Sequence, residues 1–387
     1  MAQIVETIDN TDFKLLKDFG SIDEKCVKSE KSSNIPISHV NFNGRLTKDK
    51  NELCNVLNRF FTSMSSSSNS TIEQSTNFID SQFDQYKIQD TEFKFNFTTA
   101  KELNDLLKSL TSSSSNDDLN NYRAISILPP IAKLFEKLIH KQILAYLNGK
   151  NIITNDQHGF RSNHSCESAL HEIISEIKKI KSKRSIGLLL FVDFRKAFDS
   201  VDPRLLLLKL KKYGVSIMAL YIIKNYFENR SQFFKIDDCV SDSMAINLGV
   251  PQGSVLGPRL FLLFINDIVK YLSDFMFKLF ADDTTILKVG NELSSVISEF
   301  SCSIKKLVEW CKFNRIDINW NKTKIMFLTN KRNICLPKSI NVDNNNVEVV
   351  NCFKLLGITI DNKLSFQKYV SEIRNSIKFN KLKTLFN

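Results

Sequence analysis

The sequence has no C-x-x-C pair, no basic-then-apolar leader and no unbroken apolar run long enough to cross a bilayer. Each absence removes a class. The eight cysteines (26, 54, 166, 239, 302, 311, 335 and 352) are scattered without neighbouring His pairs, which argues against a zinc site or a disulfide framework. Unpaired thiols of this kind fit a reducing, intracellular setting. The opening "MAQIVETIDN" does not read as a signal peptide. The richest apolar run, "PRLFLLFINDIVKYL", is broken by Asn266 and Asp267, so a soluble protein with no membrane partner is expected. Acidic charge is in deficit, with 42 Asp and Glu against 53 Lys and Arg, for a formal charge of +11. That balance leans toward polyanionic partners such as nucleic acid. No internal repeat is visible, and 387 residues suit two to three domains or one large multi-part enzyme.

What is present divides by composition. Residues 1–115 are polar, with serine runs at 65–68 and 112–115 that read as flexible linker. Helices are expected within "KDKNELCNVLNRFF" and "TTAKELNDLLKSL". From about residue 120 the apolar density rises, and helices alternate with strands as in an α+β or α/β enzyme core. "IAKLFEKLIHKQILAYL" and "CESALHEIISEIKKIKS" are amphipathic helices, and "GLLLFVDF" reads as a buried strand. Asp202 caps and Pro203 opens a helix that Gly214 ends, and another follows near 216–228. "QFFKI" and "MAINL" look paired across a turn. Pro258 opens a helix, and "FMFKLFA" and "TTILK" form the arms of a hairpin. A helix near 291–313, the strand "TKIMFLT" and a last hairpin including "VEVVNCFKLLGITID" complete the pattern. Trp310 lies on an apolar helix face and reads as core.

Two carboxylates, Asp282 and Asp283, interrupt the apolar stretch "LFADDTTILK", and a third, Asp193, ends the buried strand "GLLLFVD". An Asp-Asp pair is also ordinary turn chemistry. A charge at the exit of a central strand, however, costs several kcal/mol unless it meets a cation or water. If the strands are neighbours, the carboxylates converge on a site suited to Mg²⁺ shared with substrate phosphates. Two such ions serve nucleotidyl transfer. "GVPQGSVLGP" adds a loop rich in glycine and proline that lets backbone approach a ligand, with Gln252 at its centre. Asp202 reads as a cap and Asp199 as a turn or cap residue, so neither belongs to the expected metal set.

In order and spacing, "NYRAISILPPIAKLFEKLI", "QHGFRSNHSC", "FVDFRKAFDSVD", "GVPQGSVLGPRLFLLFINDI", "FADDTTIL", "NWNKTKIMFL" and "FKLLGITID" resemble the reverse transcriptases of non-LTR (LINE-type, jockey-like) retrotransposons. The resemblance covers about residues 50–375. It implies a right-hand polymerase with a palm sheet and reduced fingers, the fingers-palm domain spanning 116–365 and the start of a truncated thumb 366–387. It further implies an RNA-directed DNA polymerase that adds dNTPs to a DNA primer along an RNA template, inside the nucleus, the cytoplasm or both. Asp193, Asp282 and Asp283 match the ligands of two Mg²⁺ ions, which Mn²⁺ can replace, with the Phe194 carbonyl as a further ligand. Phe198 matches a steric gate against the ribose 2′-hydroxyl, and Gln252 a residue against the incoming nucleotide. Arg123 matches a fingertip arginine for the triphosphate, and Lys322 a general acid to pyrophosphate. Gly159 and Arg161 match a template-contacting element, and Gly357 the hairpin that grips the primer.

The sequence also departs from that family. Where the family has several dozen residues with a "PGPDG" stretch and a basic strand, only "TSSSSNDDLN" precedes "NYRAIS". The missing strand would carry the lysine that partners Arg123, a contact worth about 1.5–3 kcal/mol. An internally shortened copy is therefore expected, with any endonuclease supplied in trans. The competing expectation is a catalytically impaired nucleic-acid-binding remnant.

Overall fold

The structure, a computed structural model, describes residues 2–8, 40–42, 45–47, 49–63, 66–83, 92–95, 128, 130–236 and 238–375. The helix expected in "TTAKELNDLLKSL", the serine run at 112–115 and the end of the expected thumb lie outside the described residues. Helices combine with antiparallel strand pairs, so the class is α+β. The chain divides into two compact units, one of Met1–Ser65, Lys87–Lys150 and Phe198–Phe261, the other of Ser66–Tyr86, Asn151–Ala197 and Leu262–Asn387. Among the described residues no helix is long and apolar enough to cross a membrane.

The second unit is built on a four-stranded antiparallel sheet. Its strands are β1 (Ile186–Val192), β2 (Met276–Phe280), β3 (Asp283–Gly290) and β4 (Lys324–Thr329), in the order β4-β1-β3-β2. All seven residues of β1 are buried, which is why its sequence shows no polar alternation. On one face Leu189 and Phe191 pack with Leu170, Ile173, Ile177 and Ile180 of helix α1 (Cys166–Ser182). Alternation sends Leu188 and Leu190 to the other face. Helix α2 (Leu293–Asn314) packs against β1 and β3, and its Trp310 is fully buried, as expected.

The final hairpin expected around 347–361 is in fact two. Ser339–Val342 pairs with Asn345–Glu348, and Cys352–Leu355 with Ile358–Asp361. Each turns on two residues at positive φ, Asp343–Asn344 and Leu356–Gly357, the signature of tight hairpin loops. Phe353 of the second hairpin stacks on Phe191 at 4.0 Å and 4°.

The first serine run is not a linker over its described part. Ser66 Oγ, Ser67 Oγ and the Ser67 amide donate to the Asp317 carboxylate at 2.8–3.1 Å. Ser68 and Ser70 hydroxyls donate to the Lys312 carbonyl in the last turn of α2, at 2.6 and 2.9 Å. A carboxylate and a helix-end carbonyl need donors, and short hydroxyl side chains supply them.

In the first unit, Asp49 caps the helix Lys50–Thr62, which buries Leu53, Cys54, Leu57 and Phe61 and packs on the strand Arg230–Ile236. That strand pairs with Ala2–Ile8, Cys239–Val240 and Met244–Ala245, so the expected pairing with "MAINL" is realised over two residues only. The unit also holds helices Pro130–Gly149, Pro203–Lys212 and Ile217–Phe227, the second capped by Asp202 as expected.

Candidate active site

The β1–β3 register aligns Val192 with Thr284, so the next residue, Asp193, falls level with Asp283. The β2–β3 ladder pairs Phe280 with Asp283 and leaves Ala281–Asp282 as a two-residue loop. The turn is thus one residue earlier than the arms "FMFKLFA" and "TTILK" implied. Ala281, not an aspartate, takes the left-handed backbone (φ 55°). Asp282 therefore sits in the loop while Asp283 begins a strand, and all three carboxylates belong to one end of the sheet.

Backbone contacts mount Asp193. Its amide donates to Thr323 Oγ1 (3.3 Å), and its carbonyl accepts from the Asn319 amide (2.7 Å). The Arg195 amide donates to the Asp317 carbonyl (2.8 Å), which makes Phe194 and Ile318 an isolated antiparallel bridge. Neither bond uses the Phe194 carbonyl. Lys322 is exposed on the adjoining turn, where its amide and that of buried Thr323 both donate to the Asn319 carbonyl. Sequence reasoning found Lys322 and overlooked Thr323, whose only signal was its place beside that lysine.

Among the described residues, no three His, Cys, Asp or Glu side chains are gathered to hold a metal ion. The donors at this sheet end are carboxylate and carbonyl oxygens. They fit in kind a hard divalent cation of the Mg²⁺ type, which takes one or two protein carboxylates and completes its shell from substrate phosphates and water.

Gly159 and Arg161 lie in the same unit. Gly159 meets the turn: a Cβ there would lie 2.3 Å from the Ala281 nitrogen. Arg161 donates through Nη1 to the carbonyls of Thr154 (2.6 Å) and Gln157 (3.2 Å), and burial lowers its guanidinium pKa. Gly357 (φ 87°) has nothing within 4 Å of a would-be Cβ.

Phe198 and Gln252 belong to the first unit. The Phe198 ring stacks on Phe261 at 4.2 Å and 20°. The "GVPQG" loop is tied to the chain around it. The amides of Gly249 and Val250 donate to the Val201 and Phe198 carbonyls (2.8 and 2.9 Å), and Arg230 Nη1 donates to the Gly249 carbonyl (2.8 Å). Gln252 Nε2 donates to Asp199 Oδ1 at 2.6 Å. Asp199, Arg230, Gln232 and Gln252 line a pocket of about 190 Å³. Asp199 lies in a turn, as read from sequence, and its bond to Gln252 is a contact that reading missed. Arg123 lies outside the described residues.

Comparison with known proteins bears on this arrangement. A telomerase from Candida tropicalis, truncated from its C-terminal domain, superposes with a TM-score of 0.40 at 14% identity, over 60% of this chain and 44% of that one. A probable RNA-directed DNA polymerase from transposon X-element of Drosophila melanogaster is 32% identical over 267 residues, 67% of this chain and 28% of that protein. The RNA-directed DNA polymerase from mobile element jockey of the same species is 28% identical over 268 residues, 67% of this chain and 29% of that protein. The chain thus spans under a third of the length of these relatives. The family described as reverse transcriptase (RNA-dependent DNA polymerase) matches residues 112–360, nearly two thirds of the chain and all three carboxylates, and the chain belongs to that family.

Proposed function

We propose that this chain carries the polymerase segment of a jockey-like non-LTR retrotransposon protein and adds deoxynucleotides to a DNA 3′ end along an RNA template. The observation that carries the reading is the alignment of Asp193 with Asp283 beside the Asp282 turn, at one end of a buried sheet, in a chain of this family. Asp193 and Asp282, with Asp283 and the Phe194 carbonyl in support, are the oxygen donors for Mg²⁺ or Mn²⁺. When bound, such ions supply charge that favours the attacking 3′-hydroxylate and the departing pyrophosphate.

The remaining steps belong to side chains. Phe198 excludes the ribose 2′-hydroxyl by size, and its stack on Phe261 keeps the ring from yielding. Gln252 meets the incoming nucleotide with an amide oriented by Asp199. Lys322 carries a proton to the pyrophosphate oxygen. Gly159 and Arg161 serve the template, Gly357 the primer end and Arg123 the triphosphate.

The test is extension of a labelled DNA primer on an RNA template with dNTPs and Mg²⁺ or Mn²⁺. Product is expected from the wild type, with Asp282→Asn at background and dNTPs preferred to NTPs. Tight template-primer binding without any incorporation by folded wild type would reject the polymerase reading in favour of a binding remnant.

A further inference from the structure

We propose that Gln157 is a positioning residue for the carboxylate site, and that one buried amide oxygen fixes the Ala281–Asp282 turn. The proposal rests on the reading of Asp193 and Asp282 as metal ligands given above. Gln157 is 1% exposed, and its Oε1 accepts from two backbone amides, Ala281 (2.9 Å) and Gly159 (2.8 Å). Ala281 is itself buried and lies just past the last ladder pair of β2, where the sheet offers its amide no partner. A buried N–H without an acceptor is costly, so the glutamine oxygen decides where this turn rests.

The oxygen is delivered by a segment that is itself held. The Leu279 amide donates to the Asp156 carbonyl (2.9 Å) and the His158 amide to the Leu279 carbonyl (2.7 Å), so Gln157 bridges Leu279 in parallel along β2. Lys278 Nζ binds Asp156 and Glu172, each at 2.7 Å. Asn266 accepts from the Thr154 amide and donates to the Ile152 carbonyl, at 2.9 and 2.8 Å. Gly159 completes the contact, because backbone meets backbone where any Cβ would strike Ala281.

The other half of the side chain shows which atom matters. Gln157 Nε2 is buried with no hydrogen-bond partner among the described residues. Both bonds of the side chain among the described residues use the acceptor. The residue is therefore specific for an oxygen at this point, one backbone step from Asp282.

Two variants and one exchange measurement test this. Gln157→Met keeps length and burial but removes the acceptor. Gln157→Glu keeps an accepting oxygen. For Gln157→Met we expect kcat to fall by about 10–100-fold, the loss usual when an outer partner of a metal ligand is removed. The Mg²⁺ concentration for half-maximal rate should rise severalfold, with a smaller rise in the dNTP KM at saturating Mg²⁺, because the side chains assigned to the nucleotide lie on other segments. Gln157→Glu should recover most of the loss. Hydrogen exchange reads the contact without any turnover: the Ala281 amide should be protected in the wild type and lose protection in Gln157→Met.

Wild-type kinetics from folded Gln157→Met, or an unprotected Ala281 amide in the wild type, overturns the proposal. If Gln157→Met does not fold, wild-type exchange and Gln157→Glu decide. An inactive wild type sinks the polymerase reading instead, and the exchange result still stands for or against Gln157.

Discussion

At the residue scale, a short bond from Gln252 to Asp199 sets which way an amide faces. Glutamine offers a donor on one side and an acceptor on the other, and an ionised partner on Nε2 at 2.6 Å removes the flipped alternative. Breaking that charge-assisted bond with Asp199→Ala should weaken nucleotide binding by about 1.5–3 kcal/mol, roughly 10–150-fold in dNTP KM. Asp199→Asn retains an oxygen and should lose less. Steady-state primer extension at varied dNTP checks it, and an unchanged KM in Asp199→Ala refutes the role. The placement of the three carboxylates at strand ends was legible in sequence, because each borders a short apolar run. Asp199 was not, since a carboxylate three residues before a helix cap already has a local explanation. Its partner lies 53 residues away.

At the element scale, Gly357 and Gly159 differ in kind. Gly357 sits in a two-residue hairpin loop at φ 87° with open space where a Cβ would be, so Gly357→Ala suffers only the left-handed backbone, about 1–2 kcal/mol. Gly159 has no positive φ, but its Cβ would strike the Ala281 backbone, which cannot step aside as a flexible side chain would. Gly159→Ala should therefore cost more than Gly357→Ala in urea unfolding. The reverse order would contradict the close approach. Local chemistry also explains what the sequence misplaced. Asp-Asp is better turn material than Ala-Asp, so propensity alone puts the loop one residue late. The observed loop is settled by Gln157, a residue 124 positions away. The serine run reads as linker for the same reason, because its acceptor, Asp317, lies 250 residues further on.

At the scale of the molecule, each unit is assembled from three separated stretches, whereas the family motifs read in chain order run through both. Motif order was therefore legible and spatial grouping was not, since grouping depends on which distant segments share a core. Acid sensitivity is a property of such a core. Burial lowers the imidazole pKa of His158 and of His140 below the ordinary value of about 6.5. The unfolded chain then binds those protons more readily. The stability they confer is complete above pH 6.5 and falls as pH drops through that value toward the folded pKa. Glu136 has the opposite sign: burial raises its carboxyl, so its contribution is present at low pH and lost as pH rises through the raised pKa. A wild-type curve mixes the two, and one substitution separates them. His158 is 1% exposed, with Nδ1 2.8 Å from Ser168 Oγ and Nε2 3.7 Å from Glu172, while Lys278, Asp156 and His164 add their charges nearby. His158→Gln keeps a polar side chain that does not titrate. Between pH 7 and 5 the unfolding free energy of the wild type should fall faster than that of His158→Gln, by up to about 1.4 kcal/mol per pH unit, one proton's worth. Urea unfolding at half-unit pH steps measures the difference, and parallel curves would show that His158 takes up no extra proton when the chain unfolds.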